Sequence, residues 1–216
     1  MTKDSLLKKE VLAELNWEPS IASAHIGVTA NAGVVTLTGH VESFAEKHAA
    51  EMAAWRVKGV NAVAEEIEVK LPFERTRGDD EIASAILERL AWNSFIPDDS
   101  IKVKVENGWI TLTGQVEWAF QKEAAELEVR QLTGVVGVSN QTTIKPKPSA
   151  SDISNDIVHA LHRTWLSNPN TITVSGKGGV IKLTGTVDSQ QDRRVAESTA
   201  WAAPGITFVD NDIMII

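Results

Sequence analysis

Five histidines, His25, His40, His48, His159 and His162, are the residues best suited to metal or acid–base chemistry in a chain that has no cysteine. His159 and His162 stand three apart beside Asp156, a spacing that can place two imidazoles on one helical turn for a metal. They flank the apolar Leu161, and the matching places in the repeats described below hold unrelated residues, so no metal and no cofactor is expected. His25, His40 and His48 fall close together in the sequence and are expected on a solvated surface. A nucleophile needs a base beside it and a third group to orient that base. The chain offers no Gly-x-Ser-x-Gly elbow and no Gly-x-x-x-x-Gly-Lys phosphate loop, so no catalytic residue is assigned and an enzyme is not expected.

Recurring carboxylates at Glu42, Glu117 and Asp188 read as charge at helix N-termini, where they complement the helix dipole. Seven tryptophans and no tyrosine make an uncommon aromatic set. Most of them are expected in the core and between modules, because each buries some 150–250 Å². A surface-binding set of aromatics is expected at Trp118, Phe120 and Trp109, with Trp118, just after the strand end, the member first expected to be exposed.

These residues are carried by a repeat. The tripeptide Leu-Thr-Gly occurs at 37–39, 112–114 and 183–185. Twenty residues after each of its glycines stand Gly59, Gly134 and Gly205, followed by Val60, Val135 and Ile206. Six residues before stand Gly33, Gly108 and Gly179. Farther back, Leu7/Val11/Leu15, Ile82/Ile86/Leu90 and Ile153/Ile157/Leu161 recur in steps of four, the mark of one apolar helical face. Fixed periods of this kind define a modular array.

Each module reads as helix, β-hairpin, helix, strand. Alternation at Ile101, Val103 and Val105, then Asn107-Gly108, then Ile110 and Leu112, predicts two strands around a turn that needs positive φ. Second helices are predicted over 43–57, 118–132 and 189–202, and last strands over 63–69, 138–144 and 209–215. Asp79 or Asp80 and Ser151 or Asp152 are expected N-caps. Lys47/Glu51, Lys122/Glu126 and Arg193/Glu197 are expected to pair along the second helix, and Gly59, Gly134 and Gly205 to stand at its C′ position. Glu65, Asn140 and Asn211 interrupt the apolar parity of the last strand, so each should be hydrogen-bonded or sit at a bulge. The fold class is therefore α+β: three tandem αββαβ modules over 1–72, 76–147 and 149–216, each a three-stranded mixed sheet with two helices. Proline-rich 145–149 should be a stiff linker.

Net charge is −8, and no module is basic: 8 basic against 11 acidic residues in 1–75, 8 against 11 in 76–148, and 5 against 7 in 149–216. Nucleic acid is not expected as a partner. The first twenty residues carry no secretory pattern, which predicts the cytoplasm; the periplasm is the alternative if a leader was removed.

An αββαβ unit with a Leu-Thr-Gly strand end and a Gly-Val twenty residues later resembles the BON domain, named for bacterial OsmY and nodulation proteins. Its hallmarks here are the glycines Gly39/Gly59, Gly114/Gly134 and Gly185/Gly205. The resemblance covers nearly the whole chain, three times over. It implies a non-enzymatic, osmotic-stress- or envelope-related protein that binds phospholipid or a membrane-proximal surface. The alternative is a protein-interaction scaffold or stress protector, with a protein partner or self-association through sheet edges and helix faces.

Overall fold

A computed structural model describes residues 2–145, 150–164 and 169–216. Module one contains α1 (Lys3–Trp17), β1 (Ile26–Asn31), β2 (Val34–Val41), α2 (Phe44–Arg56) and β3 (Ala62–Val69). Module two contains α3 (Asp79–Trp92), β4 (Ile101–Glu106), β5 (Trp109–Val116), α4 (Ala119–Arg130), β6 (Gly137–Asn140) and β7 (Thr143–Ile144). Module three contains α5 (Ala150–Arg163), β8 (Ile172–Lys177), β9 (Val180–Val187), α6 (Gln190–Trp201) and β10 (Phe208–Ile215). Each sheet has the second strand of its module at the centre. In modules one and three the first strand pairs with it antiparallel and the last parallel, as a hairpin followed by a helical crossover requires. In module two the last strand is split at Asn140, and β7 rejoins the same central strand. The fold is α+β, and the described residues form three sheets and six α-helices, consistent with three tandem modules.

Cores are local. Val11, Leu15, Val28, Val35, Leu37 and Ile67 form one cluster with Ala50, Ala53 and Ala54 of α2. Ile157, Leu161, Leu183, Ile206 and Ile213 form another with Ala196 and Ala200 of α6. Alanines on the second helix let its backbone lie close on the sheet, and the aliphatic residues fill the space. Grouped by Cα proximity, the chain makes two compact units. One is Met1–Arg89, Val103–Thr111 and Leu127–Ser139; the other is Leu90–Lys102, Leu112–Glu126 and Asn140–Ile216, so the division passes through the middle module.

The repeated glycines have different physical causes. Gly39, Gly114 and Gly185 have φ of +118°, +134° and +127°. A Cβ on any of them would overlap a backbone carbonyl oxygen just before the first strand, that of His25, Ser100 or Thr171. The turn glycines Gly33, Gly108 and Gly179 lie against the carbonyls of Gly59, Gly134 and Gly205. Their own carbonyls accept from Asn61, Val136 and Thr207. Two glycines twenty-six residues apart thus lock the hairpin turn to the segment that leads into the last strand. Gly59 lies two residues past the Val57 cap and Gly205 three past the Ala202 cap, so neither occupies C′. Their backbone freedom serves that lock.

The expected N-cap residue Asp79 is instead the first residue of α3, and its carboxylate accepts from the amides of Asn107 and Gly108 at 2.8 and 2.9 Å. Asp4 does the same for Ala32 at 2.9 Å. Both clamp a turn whose first residue, Ala32 or Asn107, has φ near +50°. In module three α5 begins at Ala150, and the side chains of Ser151 and Asp152 lie outside the described residues, as does linker 146–149.

Gly39→Ala should lower unfolding stability by about 3 kcal/mol or more, because the Cβ meets backbone that cannot move aside. Gly178→Asn is the contrast: φ there is +62° and nothing lies within 4 Å of the added carbon. Its change should stay within about 1 kcal/mol. Urea denaturation of both variants checks the pair.

Candidate functional site

The third-strand positions Glu65, Asn140 and Asn211 are hydrogen-bonded, and they take up at least one side chain of each pair expected along the second helix. Lys47 Nζ reaches Glu65 at 2.8 Å and the Ile67 carbonyl at 2.7 Å. Asn140 Nδ2 donates to the Lys122 carbonyl and to Glu126 at 2.9 and 3.2 Å. Asn211 Nδ2 donates to Glu197 at 3.0 Å, and Arg193 donates to the Asn211 carbonyl at 2.7 Å. The side chains of Lys47, Glu126, Arg193 and Glu197 therefore tie helix to strand. Each third-strand side chain also accepts from the amide two residues on, Ile67, Thr142 or Ile213.

His159 and His162 are exposed on α5. His25 and His40 stack with ring centroids 4.8 Å apart and planes 12° from parallel. Among the described residues no group of three or more His, Cys, Asp or Glu could hold a metal ion.

Aromatic residues supply the candidate surface. Among the described residues no tryptophan is buried, against the expectation of core packing. Trp17 and Trp92, at equivalent places ending α1 and α3, are 85% and 89% exposed. Trp165 lies outside the described residues. Around the start of α4 the rings gather. Phe95 (62% exposed) meets Phe120 (47%) edge to face at 5.9 Å, and Trp118 lies 6.3 Å from Phe120. Trp118, the member first expected to be exposed, is half-buried. Trp109 opens β5, whereas Trp118 follows its end; Trp109 lies instead over Gly137, where a Cβ would strike its ring.

Gln121 builds this cluster. It is 8% exposed, its Oε1 accepts from the amides of Glu117 and Trp118, and its Nε2 donates to the Phe95 carbonyl at 3.0 Å. One side chain therefore holds the entry of α4 and the loop after α3 together. The equivalent Glu46 accepts from the amides of Ala22 and Glu42 at 2.7 and 3.1 Å. A carboxylate suits module one, where the loop offers an N–H; an amide suits module two, where it offers a carbonyl. Gln121, Phe95 and Trp92 were not singled out as a site from the sequence. The signal was a polar residue seven after each Leu-Thr-Gly glycine: Glu46, Gln121 and Asp192.

The modules also differ between their helices. Arg56 on α2 grips Glu14 of α1 and Glu18 at its C-cap at 2.7 and 3.1 Å. Ser20, opposed by partial burial and aided by Arg56, holds the Glu18 carboxyl below its usual range. In module three those places are Ala202, Ala160 and Thr164, and a groove of about 600 Å³ opens between α5 and α6.

Three tandem sheet-and-helix modules that share the same glycine contacts at both ends of the central strand define a repeat-module protein. The BON domain model matches residues 3–70, 78–146 and 149–216, and the chain belongs to the BON domain family. It is 32% identical over 146 residues to Osmotically-inducible protein Y of Escherichia coli (strain K12), covering 66% of this chain and 73% of that one. It is 30% identical over 142 residues to the 21 kDa hemolysin of Actinobacillus pleuropneumoniae, covering 63% and 73%. Among solved structures, CdsD, a structural protein of the Type III secretion system of Chlamydia trachomatis, aligns over 96% of this chain and 91% of its own at 18% identity, with a TM-score of 0.26. Among the described residues no helix is long and apolar enough to cross a membrane.

Gln121→Ala should cost about 1–3 kcal/mol of unfolding stability, since the Phe95 carbonyl and two amides lose their partner. Gln121→Glu should keep the two amide bonds and still destabilise, because a carboxylate then faces the Phe95 carbonyl. Denaturant unfolding followed by circular dichroism reads both.

Proposed function

We propose that this chain is a non-enzymatic, stress-related repeat protein that docks on phospholipid or another membrane-proximal surface through the aromatics of its middle module. The observation that carries the reading is the cluster of Phe95, Phe120 and Trp118, held by Gln121, with the exposed Trp92 ending the adjoining helix. Amphipathic aromatic rings favour the headgroup layer, where an apolar body and a polar edge are both satisfied. The net charge of −8 argues against coulombic attachment to anionic lipid, so docking relies on apolar contact and should favour zwitterionic headgroups. The similarity to an osmotically inducible protein supports a role under osmotic stress.

Co-sedimentation with vesicles of graded headgroup composition tests it. Phosphatidylcholine and phosphatidylethanolamine vesicles should pellet the protein, and Trp92→Ala and Phe95→Ala should each weaken partitioning about tenfold. Failure to bind any composition at low salt would overturn the reading.

A second reading, a scaffold acting through sheet edges, is favoured by β10. It is an edge strand, and Phe208, Met214, Ile215 and Ile216 at its ends are exposed. If it joins a second copy, light scattering should give a mass above 23.5 kDa that falls on Met214→Lys. A strict monomer at high concentration would exclude this version.

A further inference from the structure

A groove of about 740 Å³ lies wholly within the second compact unit. One wall is the start of α4, with Trp118, Phe120 and Glu123; the other is one stripe of α6, with Arg194, Glu197 and Trp201. Residues 194, 197 and 201 are spaced by three and four, so they share one helical face. The volume falls within the roughly 300–1,000 Å³ of small-molecule sites.

Three aromatic rings, two carboxylates and one guanidinium converge there. Glu197 is fixed by Asn211 through one carboxylate oxygen at 3.0 Å, which leaves the other for a ligand. Arg194 and Glu123 form no ion pair among the described residues. A purely apolar ligand would leave these charges unanswered. A divalent metal ion requires several oxygen ligands, which two carboxylates on opposite walls among aromatic rings do not provide. Ring faces beside carboxylates select a bulky, weakly hydrated organic cation. A free guanidinium selects a carboxylate or phosphate.

We propose that this groove binds a small zwitterion that joins an alkylated ammonium to a carboxylate or phosphate. The ammonium lies among Trp118, Phe120 and Trp201 with Glu123 and Glu197 beside it, and the anionic end meets Arg194. Free betaines and the phosphocholine headgroup share this chemistry. The site does not depend on membrane docking, since a free solute can enter it.

Isothermal titration of the full chain with glycine betaine, phosphocholine, tetramethylammonium, ammonium chloride and sodium acetate tests the assignment. At least one zwitterion should bind saturably and tetramethylammonium more weakly, while ammonium and acetate should not bind. Betaine binding identifies a free solute as a source; phosphocholine binding without betaine identifies the headgroup, and both outcomes support the site. Trp201→Ala should weaken the zwitterion about tenfold and Trp201→Phe much less. Because Trp201 also packs on the core of module three, the exposed Arg194→Ala is the safer variant. It should weaken zwitterions about tenfold and leave tetramethylammonium unchanged. No saturable binding of either zwitterion, or equal losses for zwitterion and tetramethylammonium in Arg194→Ala, would overturn the proposal. Vesicle pelleting lost in Trp92→Ala but intact in Arg194→Ala would separate this groove from the docking surface.

Discussion

The close approach of two backbone segments at the end of each central strand sets the geometry of every module. Gly39, Gly114 and Gly185 lie so near a carbonyl oxygen before the first strand that no side chain fits, and their φ values belong to glycine. The contact fixes how the hairpin closes: Gly39 stands opposite Ile26 and Gly185 opposite Ile172, the first residues of β1 and β8. A slip of one residue would turn Leu37 or Leu183 from the core to solvent. At the far end of the hairpin the second contact, turn glycine against the glycine beyond the second helix, sets where the parallel strand begins. Both ends of the central strand are thereby held by backbone. Side chains elsewhere are free to diverge.

That division explains what was legible from residues alone. Backbone constraints repeat with the fold, so the αββαβ order, the core stripes of the first helices and the special glycines could be read from spacing. Side-chain destinations could not. Lys47 and Glu51 have the spacing of a helical pair, yet Lys47 extends to Glu65 because the third strand carries a half-buried carboxylate that needs a cation. Asn140 and Asn211 have the same role with an amide, which turns the partners into a carbonyl and a glutamate. The tryptophans misled for a related reason. Alanines on α2 and α6 bring helix and sheet too close for an indole, so the large rings are displaced to helix ends and module surfaces.

Divergence among the copies follows the same logic. Module one closes the space between its helices with Arg56, Glu14 and Glu18, and module two links Arg89 to Glu128. Module three replaces the first set with alanine and threonine and leaves the space open. Exposed ion pairs contribute little to stability, so exchanging them is nearly neutral to folding. Surface chemistry can therefore change from copy to copy while the backbone remains the same.

The residue seven after each Leu-Thr-Gly glycine shows how such a change becomes a site. It stands in the first turn of the second helix, and in modules one and two it reaches the loop that precedes the sheet. With glutamate there, module one accepts amides and holds a loop that carries Ala22. With glutamine, module two donates as well, and the loop it holds carries Phe95 beside Phe120. The aromatic surface is thus a consequence of one acid-to-amide exchange together with the ring residues on the held loop. Because Gln121 is buried and bonded through both its oxygen and its nitrogen, the rings it positions are held by the core and need no ligand to assemble them.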